Sequence, residues 1–227
     1  CKSVRFRLGE GASSAIPSSF LVSRLQTDGM TDAERALPAL TRSRLKTLSN
    51  WPEWDAAFDR QLDQHEAATV SGKPILLSSV PSEEQRNVLR LVWSNSVKPD
   101  GTRKTRSCLD GSERSAPWLR AFVKTYAASL SYPGLRLFCA LCALQGKIAV
   151  FGDTENAFQQ SPPPVKNCYV RIDDAYKSWF EKRHGRVLEW DKYVIPLQRA
   201  LQGHPEAGVL WANKINGIIG QELGLKS

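Results

Sequence analysis

Residues 150–158, VFGDTENAF, are the most informative segment of the sequence. A short apolar strand is predicted over residues 147–152 and runs directly into Asp153. A carboxylate at the end of a buried strand is well placed for a hard cation such as Mg²⁺, and the amides of the following turn can meet phosphate oxygens. The alternative is that Asp153 only caps that turn, which is a common role for aspartate.

A second pattern lies further along the chain, at residues 200–208, ALQGHPEAG. Its glycines flank a polar run just before a predicted helix. Since glycine has no side chain, the backbone there can approach a ligand closely. The alternative is an ordinary glycine turn that leads into an amphipathic helix.

A third pattern precedes both of these and is basic. Alternation and an Asp-Gly turn predict a hairpin with strands over residues 88–97 and 103–109. The second strand carries Arg103, Lys104 and Arg106, and strand geometry puts Lys104 on the opposite face from Arg103. These cations suit a triphosphate or a template backbone. They equally suit a solvated edge strand that resists aggregation.

The remaining patterns predict an α+β domain with helices packed on one sheet face. A helix is expected to begin at Asn50, with Pro52 in its first turn and Glu53 placed for a capping box. Its buried face is predicted from residues that repeat at helical spacing: Trp54, Phe58 and Leu62.

Further elements follow from apolar runs and breakers. A strongly apolar helix is predicted over residues 133–144 and an amphipathic one over 205–223, with strands over 168–172 and 193–196. By contrast, residues 1–45 show no sustained periodicity and predict a poorly ordered linker. We therefore expect residues 46–227 to form the folded domain.

Composition limits the classes of protein that the chain can belong to. Lys and Arg number 31 against 23 Asp and Glu, and the net charge of +8 suits a polyanionic partner. The five cysteines are odd in number, which argues against a disulfide scaffold. Cys139 and Cys142 have the spacing of half a zinc site, but their apolar surroundings favour buried thiols. No apolar stretch reaches the roughly 18 residues that a membrane span needs.

Taken in order along the chain, these patterns resemble the reverse transcriptase domain of copia-type LTR retrotransposons. Residues 153–158 resemble its first palm motif, an Asp followed by three variable residues, Ala and an aromatic. Residues 201–207, LQGHPEA, resemble its Leu-Tyr-Gly-Leu-Lys-Gln-Ala motif. The run 104–106 with Gly111 resembles its Lys-Ala-Arg fingers segment, and Trp54 with the following helix resembles its opening.

The resemblance covers about residues 46–227 and implies the fingers and N-terminal palm of an RNA-directed DNA polymerase, with an antiparallel sheet. It implies that Asp153 is a catalytic, metal-binding carboxylate for two Mg²⁺ ions in the complete enzyme. It also implies three nucleotide-binding roles. Phe158 would lie beneath the sugar, Gln202 and Gly203 would face the nucleotide and template, and Lys104 or Arg106 would hold the triphosphate.

The sequence departs from this family at several positions. Gln202 replaces a Tyr, and residues 204–206, HPE, replace Leu-Lys-Gln. The Tyr-x-Asp-Asp hairpin that supplies further carboxylates is expected after the last helix, but the sequence stops at Ser227. Asp173 and Asp174 precede the glycine turn and are predicted to cap a turn or strand end. We therefore expect a fragment that binds nucleic acid weakly and does not polymerise.

The resemblance also implies partners and a place of action. These are an RNA or DNA template-primer, deoxynucleoside triphosphates, an upstream integrase and a downstream ribonuclease H, in a cytoplasmic virus-like particle or the nucleus rather than outside the cell. The chain opens on Cys1 with Met30 as its only methionine, which predicts an excerpt of a longer product. One alternative is a degenerate fragment that acts only as a basic nucleic-acid-binding module. Another is an unrelated basic α+β protein.

Overall fold

The computed structural model describes residues 29–120, 131–148 and 154–221. Its α-helices are α1 (Asp32–Arg35), α2 (Arg42–Leu45), α3 (Trp51–Ala67), α4 (Pro117–Arg120), α5 (Tyr132–Leu144), α6 (Asp174–His184) and α7 (Ala207–Gln221). Its strands are β1 (Ile75–Leu76), β2 (Val88–Leu89), β3 (Leu91–Val97), β4 (Arg103–Leu109), β5 (Tyr169–Arg171) and β6 (Tyr193–Pro196). The α+β class predicted from the sequence is confirmed at this level.

The strands form two separate sheets in the described residues. A four-stranded sheet has the order β1-β6-β5-β2, and β3 pairs only with β4. Strands β1, β6 and β5 are antiparallel, but β2 runs parallel to β5 through Val88↔Tyr169. The prediction of a single antiparallel sheet is therefore wrong. Parallel pairing is possible because the chain makes a long crossover between β2 and β5.

The hairpin and the helix before it form, but the strand predicted over residues 88–97 is divided at Arg90: residues 88–89 are β2 of the four-stranded sheet, and only residues 91–97 belong to the hairpin. Strands β3 and β4 pair from Leu91↔Leu109 to Val97↔Arg103, around a turn in which Gly101 has a φ of 81°. Helix α3 has Asn50 at its N-cap position and buries Trp54, Phe58 and Leu62. The predicted capping box is wrong, because the Asn50 side chain makes no cap bond and Glu53 pairs with Arg103 instead.

The segment 29–45 belongs to the folded unit, which corrects the expectation of a poorly ordered linker for this part of the chain. Thr31 and Glu34 form a capping box at the start of α1, and Leu45 in α2 is fully buried against Trp54 and Phe58. Two short helices with few apolar residues gave no periodic signal. Residues 1–28 lie outside the described residues.

Glu34 joins this segment to the hairpin and to α3. It is completely buried and accepts hydrogen bonds from Asn50 Nδ2 at 2.9 Å, from Trp54 Nε1 at 2.8 Å and from Arg103 Nε at 3.1 Å. Burial alone would raise its pKa, but the bonds from Arg103, Thr31, Asn50 and Trp54 outweigh burial and lower the pKa to about 2. Glu34 is therefore ionised in the folded protein at neutral pH.

Helix α6 was not predicted, although the role of the residue before it was. Asp173 is the N-cap of α6 and accepts from Tyr176 N at 2.9 Å, and its other oxygen accepts from Trp93 Nε1 at 2.6 Å. The interpretation of Asp173 as a cap is confirmed. Behind it, α6 buries Tyr176, Trp179 and Phe180 against the four-stranded sheet.

Helix α5 has a different environment. It forms over the predicted residues and ends before Gly146, but none of its residues is buried. Cys139 is exposed and Cys142 is half-buried, so the prediction of buried thiols is wrong. The physical reason is that no described element covers this helix. No helix in the described ranges combines the length and apolarity that a bilayer crossing requires.

Candidate functional site

A cleft of about 550 Å³ lies between helix α3, strand β4, residues 154–159 and the glycine turn. Its walls include four of the predicted site residues, which come from three separate stretches of sequence: Lys104, Arg106, Phe158 and Gln202. The fold therefore brings together side chains that lie up to 98 residues apart in the sequence.

Strand β4 presents its two faces to different surroundings. Thr105 and Ser107 are buried toward α3, where Thr105 Oγ1 donates to Ala57 O at 2.9 Å. Lys104 and Arg106 alternate with them and are half-buried and exposed respectively. This alternation confirms the prediction that Lys104 lies opposite Arg103 and Thr105.

The glycine turn is held directly against β4. Leu109 N donates to Gln202 O at 2.7 Å, and Cys108 Sγ lies 3.9 Å from Gln202 Oε1. Gly203 has a φ of +87°, and a Cβ there would lie 2.0 Å from Leu109 O. Gly203 is not on the wall of the cleft; its role in the structure is this close backbone approach.

The same close approach involves a second glycine. A Cβ on Gly111 would lie 2.2 Å from Gly203 O, so neither position accepts a side chain without movement of the backbone. Gly111 follows the basic strand and Gly203 belongs to the turn. Two glycines singled out in different sequence motifs therefore pack against each other.

The third wall is a short 3₁₀ helix, Ala157–Gln160. It follows Asn156, which adopts a left-handed conformation with a φ of 53°. Phe158 is half-buried in the cleft, and Lys214 Nζ on α7 donates to Gln160 O at 2.6 Å. Gln159 is 5% exposed, and its Oε1 has no hydrogen-bond partner among the described residues. Gln159 therefore brings to the wall of the cleft a buried acceptor that the described residues leave unsatisfied.

The cleft is electropositive. Arg103 also lines it, but Glu34 and Glu53 neutralise that guanidinium. The acidic lining in the described part of the cleft is Glu155 alone, whereas its other charged lining residues are Arg60, Lys98, Lys104 and Arg106. This balance favours an anionic ligand.

Asp153, the predicted metal-binding residue, lies outside the described residues, as does most of the strand predicted over 147–152. Among the residues that the structure does describe, no group of three or more His, Cys, Asp or Glu side chains could hold a metal ion. Glu155 alone does not provide the set of oxygen ligands that two Mg²⁺ ions require. The described cleft therefore fits an anion and does not by itself fit the metal pair.

Two buried pairs resemble nucleophile-base pairs but lack the required chemistry. Ser107 Oγ lies 3.1 Å from His65 Nε2, and Cys168 Sγ lies 3.6 Å from His204 Nε2. Burial lowers the pKa of each histidine to about 4 and raises the pKa of Cys168 to about 12. A histidine with so low a pKa is a weak base, a neutral buried thiol is a poor nucleophile, and all four side chains are at most 5% exposed and so closed to a substrate. Both pairs are structural.

His204 also explains one departure from the family motif. Glu206 N donates to His204 Nδ1 at 3.1 Å, so that nitrogen is the acceptor and Nε2 carries the hydrogen toward Cys168. Glu206 Oε2 in turn accepts from Val165 N at 3.0 Å. Residues 204–206 therefore hold the turn in place by buried hydrogen bonds.

Sequence reasoning missed the part of the cleft that helix α3 contributes. Ala57, Arg60, Gln61 and Gln64 line it. Their spacing of three and four residues is the signal that could have found them, because it places them on one helix face. The apolar stripe dominates the sequence pattern of α3, so its polar face does not stand out in the sequence.

Comparison of the chain with protein-family models, with curated proteins and with solved structures finds no match. The class defined by fold and site together is an α+β protein with a cationic cleft. Any finer assignment depends on the geometry of that cleft and on the motifs that form it.

Proposed function

We propose that this chain is the fingers and N-terminal palm of an RNA-directed DNA polymerase of the copia type. In the full-length form, the enzyme adds deoxynucleotides to a primer. The observation that carries the proposal is the cleft itself, where Lys104, Arg106, Phe158 and Gln202 meet although they belong to three separate motifs. The packing of Gly111 on Gly203 supports it further, because the fingers glycine and the palm turn are in contact.

Each wall of the cleft has a proposed role. Lys104 and Arg106 bind the triphosphate or the nucleic-acid backbone through charge-assisted hydrogen bonds. Phe158 packs against the sugar, where its ring leaves no room for a 2′-hydroxyl. The amide of Gln202 faces the nucleotide and template, and the orphan oxygen of Gln159 accepts a hydrogen bond from the bound ligand.

A second candidate function follows from the charges of the cleft. Its described lining carries one carboxylate against five basic side chains, and Glu34 and Glu53 pair with one of these, Arg103. This composition favours a module that binds nucleic acid without performing chemistry. Under that alternative the cleft binds single strands and duplexes of any sequence through phosphate contacts, with no preference for deoxynucleotides.

Binding measurements test the shared part of both candidates. Fluorescence anisotropy of a labelled RNA–DNA template-primer, titrated with the chain at several salt concentrations, gives the affinity and the salt slope. We expect Lys104→Ala and Arg106→Ala each to weaken binding and to reduce the salt slope by about one unit, as the loss of one phosphate contact predicts.

Arg86→Ala is the matched control for this measurement. Arg86 is exposed on another surface, beside Glu83 and Glu84, so its loss removes the same charge outside the cleft. It should leave the salt slope unchanged. Equal effects of Arg86→Ala and Arg106→Ala would mean that the net charge of the protein, and not the cleft, binds nucleic acid.

Nucleotide selection separates the two candidates. With Phe158 as the sugar contact, a deoxynucleotide competes for the cleft better than the matching ribonucleotide, and Phe158→Ala removes the difference. A nucleic-acid-binding module shows no difference before or after the substitution. Primer extension by this chain alone should stay at background, and incorporation above background would contradict the expectation for the fragment.

A further inference from the structure

A cavity of about 790 Å³ lies on the other side of helix α3 from the cleft. Leu62, His65 and Glu66 line the cavity, whereas Arg60, Gln61 and Gln64 line the cleft, and the two sites share no lining residue. Its volume falls within the range of roughly 300–1,000 Å³ that is typical of small-molecule sites.

The floor of the cavity is aromatic, and contacts with residues outside the cavity fix the positions of its rings. Tyr176, Trp179 and Phe180 of α6 are all less than one tenth exposed. Trp179 Nε1 donates to Asp63 Oδ1 at 2.9 Å, and the Phe180 ring packs edge-on against Trp190 with centroids 5.3 Å apart. These contacts hold the rings in place without a ligand, so a flat molecule meets a prepared surface.

One polar group in the floor has hydrogen-bonding capacity left. Tyr176 is buried, with 7% of its surface exposed, yet no described residue hydrogen-bonds to its hydroxyl. Burial and the nearby Glu66 carboxylate raise the pKa of Tyr176, so its hydroxyl keeps its proton at neutral pH. It is therefore available as a donor to an oxygen of a ligand.

The rim of the cavity carries an excess of positive charge. Glu66 is accompanied by Arg183 at 3.8 Å and His184 at 3.3 Å. Lys73 and Arg186 also line the rim, and neither has a carboxylate partner in the part of the chain that the structure describes. The aromatic floor and the cationic rim are together complementary to a planar aromatic molecule that carries an acidic group.

From this arrangement we propose that the cavity is a binding site for a small planar aromatic anion, separate from the cleft. The ring system lies against Trp179 and Phe180, the acidic group faces Lys73 and Arg186, and the Tyr176 hydroxyl donates to the ligand. The proposal does not depend on the polymerase assignment.

A matched pair of dyes tests it. Anilinonaphthalene sulfonate and N-phenylnaphthylamine share their ring system, but only the first carries an acidic group. Fluorescence titration of the native chain should show saturable binding of both dyes at one site. Leu188→Trp fills the cavity from its wall and should abolish binding of both, and Ser71→Phe serves as a second blocking variant if the first does not fold, as judged by near-UV circular dichroism.

The rim is tested by charge removal. Arg186→Gln and Lys73→Gln should each weaken binding of the sulfonate about threefold, the loss expected for a partly exposed ion pair, and leave the neutral dye unaffected. Arg86→Gln, on another surface, should change neither. Binding that does not saturate, that survives both blocking variants, or that responds equally to Arg86→Gln overturns the proposal.

Discussion

Helices α3 and α5 differ in burial, and the difference is the opposite of what their compositions suggest. The sequence of α5, YPGLRLFCALCAL, contains a single charged residue, yet Leu144 at its end is 83% exposed and no residue of the helix is buried. Helix α3 is rich in charge, yet it buries Trp54 and Phe58 almost completely. Apolar composition therefore predicts a helix, whereas burial depends on a partner surface.

The largest effect should come from Gly203, which has a positive φ in the turn that packs against β4. Gly203→Ala places a Cβ 2.0 Å from Leu109 O, so the turn must move away from β4. We expect a loss of about 4 kcal/mol in the free energy of unfolding, from backbone strain and overpacking together. Urea denaturation followed by circular dichroism measures it.

Gly146→Ala is the control on the side of helix α5. Its φ is +62°, but nothing lies within 4 Å of the added Cβ. Only the conformational penalty remains, and we expect about 1 kcal/mol. Equal losses for the two glycines would show that contact with β4 does not restrict Gly203.

A leucine pair tests burial directly. Leu62 on α3 is 3% exposed and Leu144 on α5 is 83% exposed. Leu62→Ala should lower the free energy of unfolding by about 3 kcal/mol through lost burial and the cavity left behind. Leu144→Ala should change it by less than about 0.5 kcal/mol. A loss at Leu144 comparable to that at Leu62 would mean that the α5 face is covered in solution.

The pH dependence of stability should report His65 on α3. Burial lowers the pKa of His65 to about 4 in the folded chain, below the ordinary value near 6.5. The unfolded chain therefore binds the proton first, and stability falls as the pH drops from about 6.5 toward 4. By pH 5 the loss is about 2 kcal/mol from this residue. His65→Gln should reduce the slope of that part of the pH profile by about half, because His204 has the same lowered pKa and titrates over the same range, and an unchanged profile would contradict the assignment.

The smallest difference in the free energy of unfolding is expected between two glutamates that pair with the same arginine. Glu34 is fully buried, whereas the Glu53 side chain is 56% exposed, and both pair with Arg103. Glu34→Gln removes the buried charge and should lower the free energy of unfolding by about 2 kcal/mol. Glu53→Gln should lower it by no more than about 0.5 kcal/mol. Thermal unfolding of both variants distinguishes a buried pair from a surface pair.

Local patterns in the sequence were sufficient for the hairpin, for helix α3 and for strand β6. Gly101 follows Asp100 in a turn between alternating strands, and Trp54, Phe58 and Leu62 repeat at helical spacing, so each element is encoded by neighbouring residues. Asp173 was also interpretable locally, because its cap bond joins it to Tyr176 N, three residues away.

Tertiary partners decided what sequence reasoning could not. The parallel pairing of β2 with β5 joins Val88 to Tyr169, and no local pattern reports such a pair. Segment 29–45 is ordered because Glu34 meets Trp54 and Arg103, which lie far along the chain. In the cleft, motif order identified Lys104, Phe158 and Gln202, but only the fold shows that Arg60 and Gln64 lie beside them.

The strand order has a consequence for synthesis of the protein. Strand β1 needs β6, whose first residue is Tyr193, and β2 needs β5, which begins at Tyr169. During synthesis β2 of the nascent chain therefore stays unpaired until the segment around residue 169 has been translated, and β1 stays unpaired until the segment around residue 193 has been translated. We expect such a chain to depend on holdase chaperones during translation, and its yield to fall at high expression rates as strand edges associate between molecules.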